Sequence, residues 1–290
     1  MANLKEIKNR ITSISSTMQI TSAMKMVSAA KLKRAQDAIT QMRPYAEKLQ
    51  EILGNLSATL DLSENAFSEQ REVKKTYIVA VTSNRGLCGG FNNNIIKKAK
   101  VLLTESDKEN KKLIAIGKKV NIAFNRSDLN YRPDGIGAAE DMFNDLSFEN
   151  SSKIAQMLMD DFAAGKVDKV ILVYNKFKNA AVQQVMVEQL LPIVSNVTEG
   201  VTTARDYIFE PSKIEIVEEL IPKSLKIQLF KALLDSQASE HGARMTAMHK
   251  ATDNAGEMKR ELTLSYNKAR QAAITNEILE IVGGAEALKD

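Results

Sequence analysis

Residues 224–255 read SLKIQLFKALLDSQASEHGARMTAMHKATDNA, and the run goes on to Asp290 without a proline and with little glycine before Gly283-Gly284. Leu, Ala, Lys, Glu, Met, Gln and Arg dominate, so this composition predicts one uninterrupted helix from Ser224 to Asp290. Its apolar or small positions step by four and three through Leu234, Ala238, His241, Met245, Met248, Thr252 and Ala255, then Leu262, Tyr266, Ala269 and Ala273. That is a heptad seam, the pattern of a helix lying along another helix. Such a helix is roughly 90–100 Å long, more than a domain of this size can enclose, so it is expected to project.

The first sixty residues mirror the last. One heptad frame runs through Leu4, Ile7, Ile11, Ile14, Met18, Thr21, Lys25, Ser28, Leu32, Ala35, Ile39, Met42, Ala46, Leu49, Leu53, Leu56 and Leu60. This predicts a coiled-coil helix of about 85 Å. Pro44 removes a backbone donor, and a bend is expected there. At Thr21, Lys25 and Ser28 the seam turns polar, while Ile20, Met24 and Val27 carry apolar groups on the adjoining face. Spacing alone fits either a second contact surface or a loosely packed stretch of coil. Within residues 1–36, seven basic residues (Lys5, Lys8, Arg10, Lys25, Lys31, Lys33 and Arg34) face one acid, Glu6. That imbalance points to an acidic partner surface more than to DNA, because the bases share their helix with a long apolar seam and no nucleic-acid motif.

Composition sets the outer bounds. The chain has 290 residues, no tryptophan, 5% aromatics and a formal charge of +4, which favours helix-rich packing and does not by itself argue for nucleic acid. A single cysteine, Cys88, allows no internal disulfide and fits a reducing compartment. The polar N-terminus has no secretory-signal pattern, and no apolar run approaches a membrane span. Work at a membrane would then go through a partner.

Between the two long helices the period changes. Asp61 to Glu72 is polar and reads as a linker. Thr76–Thr82 is a buried-strand run, ended by the turn Ser83-Asn84-Arg85-Gly86-Leu87-Cys88-Gly89-Gly90; a helix from Phe91 to Leu103 and a strand at Leu113–Ile116 follow. Strand, helix, strand at this spacing is a right-handed crossover in a parallel sheet. A helix around Ser151–Ala164 and strands at Lys169–Tyr174 and Val182–Leu190 complete the pattern, with 104–112 and 125–150 too mixed to place. Pro211 and Pro222 punctuate the return into the long helix. The domain reading is 1–60 for the N-terminal coiled-coil helix, 74–215 for the α/β domain and 223–290 for the C-terminal coiled-coil helix. The fold class is therefore a long antiparallel coiled coil of N- and C-terminal helices with an inserted Rossmann-like α/β domain. The notch at Thr21–Ser28 should face residues between Gly242 and Lys259. Beyond the overlap, the C-terminal tip (Ile274, Ile278, Leu279, Ile281, Val282, Leu288) is apolar on several sides and should be sheathed by another protein.

Little enzymatic chemistry is written in the chain. The Gly86–Gly90 turn sits where a nucleotide-binding fold holds phosphate, yet it is neither G-x-G-x-x-G nor G-x-x-x-x-G-K-[ST], and it reads as a tight structural turn. His241 and His249 lie eight apart with no third metal ligand, no G-x-S-x-G elbow occurs, and Cys88 reads as a buried structural thiol. No catalytic, cofactor-binding or metal residue is assigned, and no cofactor is expected.

Ile20-Thr21-Ser22-Ala23-Met24-Lys25-Met26-Val27-Ser28-Ala29-Ala30-Lys31 resembles the N-terminal signature of the gamma subunit of bacterial F-type ATP synthases. Thr82–Gly90 is similar to that family's turn after the first strand, with Asn84 where Asp is commoner. Ala243–Met248, Ala251–Ala255 and Tyr266–Ile278 match as well. The resemblance implies a central rotor shaft that transmits torque between an ion-driven ring of c subunits and a ring of three alpha and three beta subunits, with the epsilon subunit at its foot. It implies a non-catalytic subunit, peripheral to the cytoplasmic face of the cell membrane, held there through the complex, with no nucleic acid. Carried over by matching position, Met24 and Arg244 belong to the region of rotor–stator coupling, with Lys25 and Arg34 joined to it. Gln271 and Thr275 correspond to polar shaft contacts, with Arg270 and Glu277 beside them. The plant-type cysteine insertion is absent, so no thiol switch is expected. A coiled-coil scaffold without a rotary role, and a nucleotide-binding oxidoreductase with helical extensions, are the other readings; co-purification with six larger nucleotide-binding subunits rejects the scaffold in favour of the rotor, and nicotinamide or flavin binding by the purified chain would support the oxidoreductase.

Overall fold

The computed structural model describes residues 4–57, 66–105, 110–131, 141–143, 145–193 and 213–287. Leu60, Pro211 and Leu288, together with part of the polar linker, lie outside the described residues. In chain order the elements are α1 (Leu4–Ser57), β1 (Lys75–Val81), α2 (Phe91–Thr104), β2 (Asn110–Ile116), α3 (Lys118–Phe124), α4 (Phe148–Ala163), β3 (Lys169–Phe177), β4 (Gln183–Leu191) and α5 (Lys213–Ala287), with one turn of 3₁₀ helix at Asp141–Phe143. They form two compact units, one made of residues 1–28 and 245–290, the other of residues 29–244.

The larger unit is built on a four-stranded sheet of order β2-β1-β3-β4. β1 pairs parallel with β2 (Val79 opposite Ile114) and with β3 (Val79 opposite Leu172), as the crossover pattern requires. β4 departs from that pattern. It pairs antiparallel with β3 (Val173 opposite Val187), because only residues 178–182 join the two strands and a parallel return needs a dozen or more. Both faces of the sheet are covered, which explains why β1 reads as a continuous apolar run. Tyr77, Val79 and Val81 point into a core with Ile154, Leu158 and Phe162 of α4 and Leu225, Leu229 and Leu233 of α5. Ile78 and Ala80 point the other way, against Ile95 and Ala99 of α2 and Val120 and Phe124 of α3. α4 begins at Ser147, whose Oγ accepts the Asn150 amide at 3.2 Å.

α5 starts at Lys213, ahead of the Ser224 read from sequence, and Pro222 lies inside it. An interior proline costs about 3 kcal/mol. Ile221, Leu225 and Leu229 are at most 2% exposed, and each contributes roughly 1.5–3 kcal/mol on burial, so packing against the sheet outweighs the break. α1 likewise continues through Pro44. α3 was not legible as a separate helix in sequence, being a short segment directly after Gly117.

In the smaller unit the two terminal helices run antiparallel. Lys259 Nζ donates to Ser15 Oγ at 3.2 Å, the Thr21 and Thr252 hydroxyl oxygens are 2.8 Å apart, and Lys25 Nζ lies 3.3 Å from His249 Nδ1. Position numbers fall on one helix as they rise on the other, and the notch at Thr21–Ser28 meets the window expected for it. Seam positions Ile7, Thr21 and Ser28 of α1 and Met248 and Ala255 of α5 are buried, while Ile11, Ile14, Met18, Leu262 and Tyr266 are half-buried. From Ile274 to Ala285 every residue of α5 is exposed.

Gly117 ends β2 at φ 97°, and a Cβ there would collide with the Thr82 carbonyl. Thr82 is already committed: its amide donates to Ile116 O at 2.9 Å and its Oγ1 accepts the Val120 amide at 2.9 Å. Gly117→Ala should destabilise the chain by at least about 2 kcal/mol in urea unfolding without altering the helical circular dichroism of the folded state.

Candidate functional site: a clamped turn and a polar seam

The Ser83–Gly90 turn folds around two residues in the left-handed region, Leu87 at φ 62° and Gly89 at φ 58°. A branched side chain at such a φ needs outside support, and α5 supplies it. Arg244 is 7% exposed. Its Nη2 donates to the Arg85 and Gly86 carbonyls at 3.2 Å each, its Nε donates to Gly86 O at 3.2 Å, and its Nη1 binds Glu240 Oε1 at 2.7 Å. The fork of the guanidinium suits this task, because two adjacent carbonyls and one carboxylate lie in its plane of donors. From the other side Asn92 closes the turn: its Oδ1 accepts the Ser83 amide at 2.9 Å, and its Nδ2 donates to Cys88 Sγ at 3.1 Å. Cys88 and Phe91 pack with Ala243 of α5. One residue earlier, Gly242 lets α5 approach the β3–β4 connection, where a Cβ would lie 3.3 Å from Ala180 Cα.

Burial governs the electrostatics here. It pushes the Cys88 thiol up, so the sulfur stays protonated and is a poor nucleophile. It raises the Glu240 carboxyl, with Arg244 pulling it back down. His241 is pushed down to about 4 by burial first and then by Arg244 and Lys31, so its ring is neutral at physiological pH.

The residues expected to make partner contacts fall into separate groups. Met24 and Lys25 are half-buried neighbours on α1 of the smaller unit. Arg270, Gln271, Thr275 and Glu277 are exposed on the last turns of α5, where Thr275 Oγ1 donates to Gln271 O at 2.9 Å. Arg34, exposed, and Arg244, buried, belong to the larger unit. Sequence reasoning missed the partners of Arg244. The Glu240–Arg244 spacing of four was a readable signal, whereas the Arg85 and Gly86 carbonyls, some 158 residues away, were not. Next to the seam, Ile20, Met26 and Val27 are 57–65% exposed and line the outer side of α1.

The family described as ATP synthase matches residues 3–288, so these long helices and this mixed sheet define a subunit of that complex. An ATP synthase gamma chain from Flavobacterium psychrophilum is 62% identical over 290 residues, covering all of both chains. One from Christiangramia forsetii is 60% identical over 291 residues, covering 99% of each. The chain belongs to the ATP synthase gamma chain family. Among solved structures, a chain of the Tetrahymena thermophila mitochondrial ATP synthase central stalk and c-ring matches with a TM-score of 0.57 and 28% identity, covering 80% of this chain and 99% of that one. A chain of the Euglena gracilis mitochondrial enzyme shares the fold at a TM-score of 0.66 and 21% identity, covering 98% of this chain and 94% of that one.

Two outcomes are expected from the clamp. Arg244→Met leaves Glu240 as an unpaired buried charge and should cost about 3–5 kcal/mol in thermal or urea unfolding, part of it regained when Glu240→Gln is added. His241 has an ordinary value of 6.5 and a folded value of about 4, so protons bind the unfolded chain first as pH falls. Relative to a His241→Gln variant, the native chain should lose stability progressively from pH 6.5 down to about 4, by about 3 kcal/mol, and none above that window. The raised Glu240 carboxyl acts in the opposite sense in both proteins, which is why the difference between them is the quantity to measure.

Proposed function

We propose that this chain is the central rotor shaft of an F-type ATP synthase, coupling ion flow through the membrane sector to ATP synthesis or hydrolysis. The observation that carries the reading is full-length identity of 62% to a gamma chain in a protein whose terminal helices are cross-tied antiparallel at Ser15–Lys259, Thr21–Thr252 and Lys25–His249. Its partners are the ring of three alpha and three beta subunits, the epsilon subunit and the c-ring. A shaft needs two helices that turn as one body, and side-chain ties at successive levels of the seam serve that purpose.

The chain is a subunit of the complex and carries no catalytic centre of its own in this reading. Its conspicuous polar groups are spent on each other: Arg244 on two carbonyls and Glu240, His241 neutral, Cys88 protonated. No described helix is long and apolar enough to cross a membrane. Attachment at the cytoplasmic face of the cell membrane then comes through the complex. Met24, Lys25 and Arg34 supply apolar and cationic contact to the surrounding ring, and Arg270, Gln271, Thr275 and Glu277 supply polar contact near the end of α5. Arg244 serves the same coupling indirectly, by holding the turn that presents Leu87, which is 63% exposed.

A bead attached through an Ile122→Cys variant, a position 57% exposed, should turn in the assembled complex during ATP hydrolysis. Turning should persist after the seam is locked by an oxidised Thr21→Cys/Thr252→Cys pair, with no drop in ions moved per ATP. A stationary bead on an active complex would refute the rotor reading. Rotation that stops only when the seam is locked would show that the two helices slide past each other.

A further inference from the structure

In the larger unit, α1, β3 and α5 enclose a cavity of about 290 Å³ that the rotor function does not use. Three cations from three elements border it: Arg43 of α1, Lys176 of β3 and Lys231 of α5. Arg43 and Lys176 are exposed and Lys231 is half-buried, so they stand at the rim; Asp235 lies deeper, at 4% exposure. Ile39 and Leu234 provide an apolar wall. Among the described residues none of the three cations makes an ion pair with Asp235. Burial pushes the Asp235 carboxyl up, and Lys231, Lys176, Arg43 and a hydrogen bond from the Phe177 backbone only partly reverse this. Three positive charges around one carboxylate exceed what neutralising it requires, and they gather round one concave place.

We propose that this cavity binds an oxyanion that still carries a proton at neutral pH, namely inorganic phosphate. The three cations attract the anionic oxygens, while the ionised carboxylate at the floor can only accept a hydrogen bond. A fully ionised oxyanion is repelled by that floor. One with a P–OH donates to it and turns repulsion into a bond. Inorganic phosphate keeps at least one proton at neutral pH and sulfate keeps none, so the site separates two anions of similar size and shape. This assignment stands independently of the rotor reading.

Calorimetric titration of the full-length chain at neutral pH and low ionic strength, with inorganic phosphate, sulfate and phenyl phosphate, tests it. Phosphate should bind at least about tenfold more tightly than sulfate, as one charge-assisted hydrogen bond against one repulsion demands. Asp235→Asn, which keeps the shape of the side chain and can donate, should remove that preference. Lys176→Gln with Lys231→Gln, at one exposed and one half-buried rim position and with the fold verified by circular dichroism, should abolish binding of both. Phenyl phosphate, whose second ionisation lies at about pH 6, is largely proton-free at neutral pH and should bind more weakly than inorganic phosphate. Absence of phosphate binding to the folded native chain, equal affinity for phosphate and sulfate, or a preference that survives in Asp235→Asn would overturn the proposal.

Discussion

The structure depends on one constraint: two helices about 230 residues apart in sequence must share a seam whose centre is made of small hydroxyl groups. Thr21 and Thr252 meet there at 2.8 Å, with Ser28 buried nearby. Leucine at those positions would bury more area but would hold the backbones further apart. Each hydroxyl has one proton, so one donates to its own helix, at the Met18 or Met248 carbonyl, and the other donates to its partner's oxygen; closeness is gained without stranding a polar group. The same economy leaves the outer side of α1 free to carry Ile20, Met26 and Val27 in solvent.

Arg244 plays the corresponding part in the larger unit. It substitutes for the regular hydrogen bonding that a turn with two left-handed residues lacks, and it does so from a helix and not from the sheet that the turn follows. The geometry of the first crossover is therefore finished by the last element of the chain. Gly242 makes this possible by admitting the β3–β4 connection, and Glu240 keeps the guanidinium from being a lone buried charge.

Much of this was legible in sequence because period is a strong signal when it persists. Both heptad frames appear as buried or half-buried positions wherever their side chains are described, and the notch found its partner in the expected window. β1 was readable because a strand covered on both faces is a plain apolar run. The start of α5 was not: Pro222 is a local stop signal, and only the sheet packed against Ile221 and Leu225 overrides it. β4's antiparallel sense was legible in principle, in the shortness of the 178–182 connection and not in its residues. At the candidate site, the family signatures picked out Arg244 as notable, but its bonds run to backbone carbonyls, which have no sequence signature at all.

The placement of residues 221–233 also bears on how the chain is made. One face of the sheet is completed by α5, after all four strands have left the ribosome. During synthesis α4 can cover only part of the face that carries Tyr77, Val79 and Leu172, and the rest waits for that segment. A chain released before the final helix would keep part of that apolar face uncovered, a surface through which it could associate with other chains.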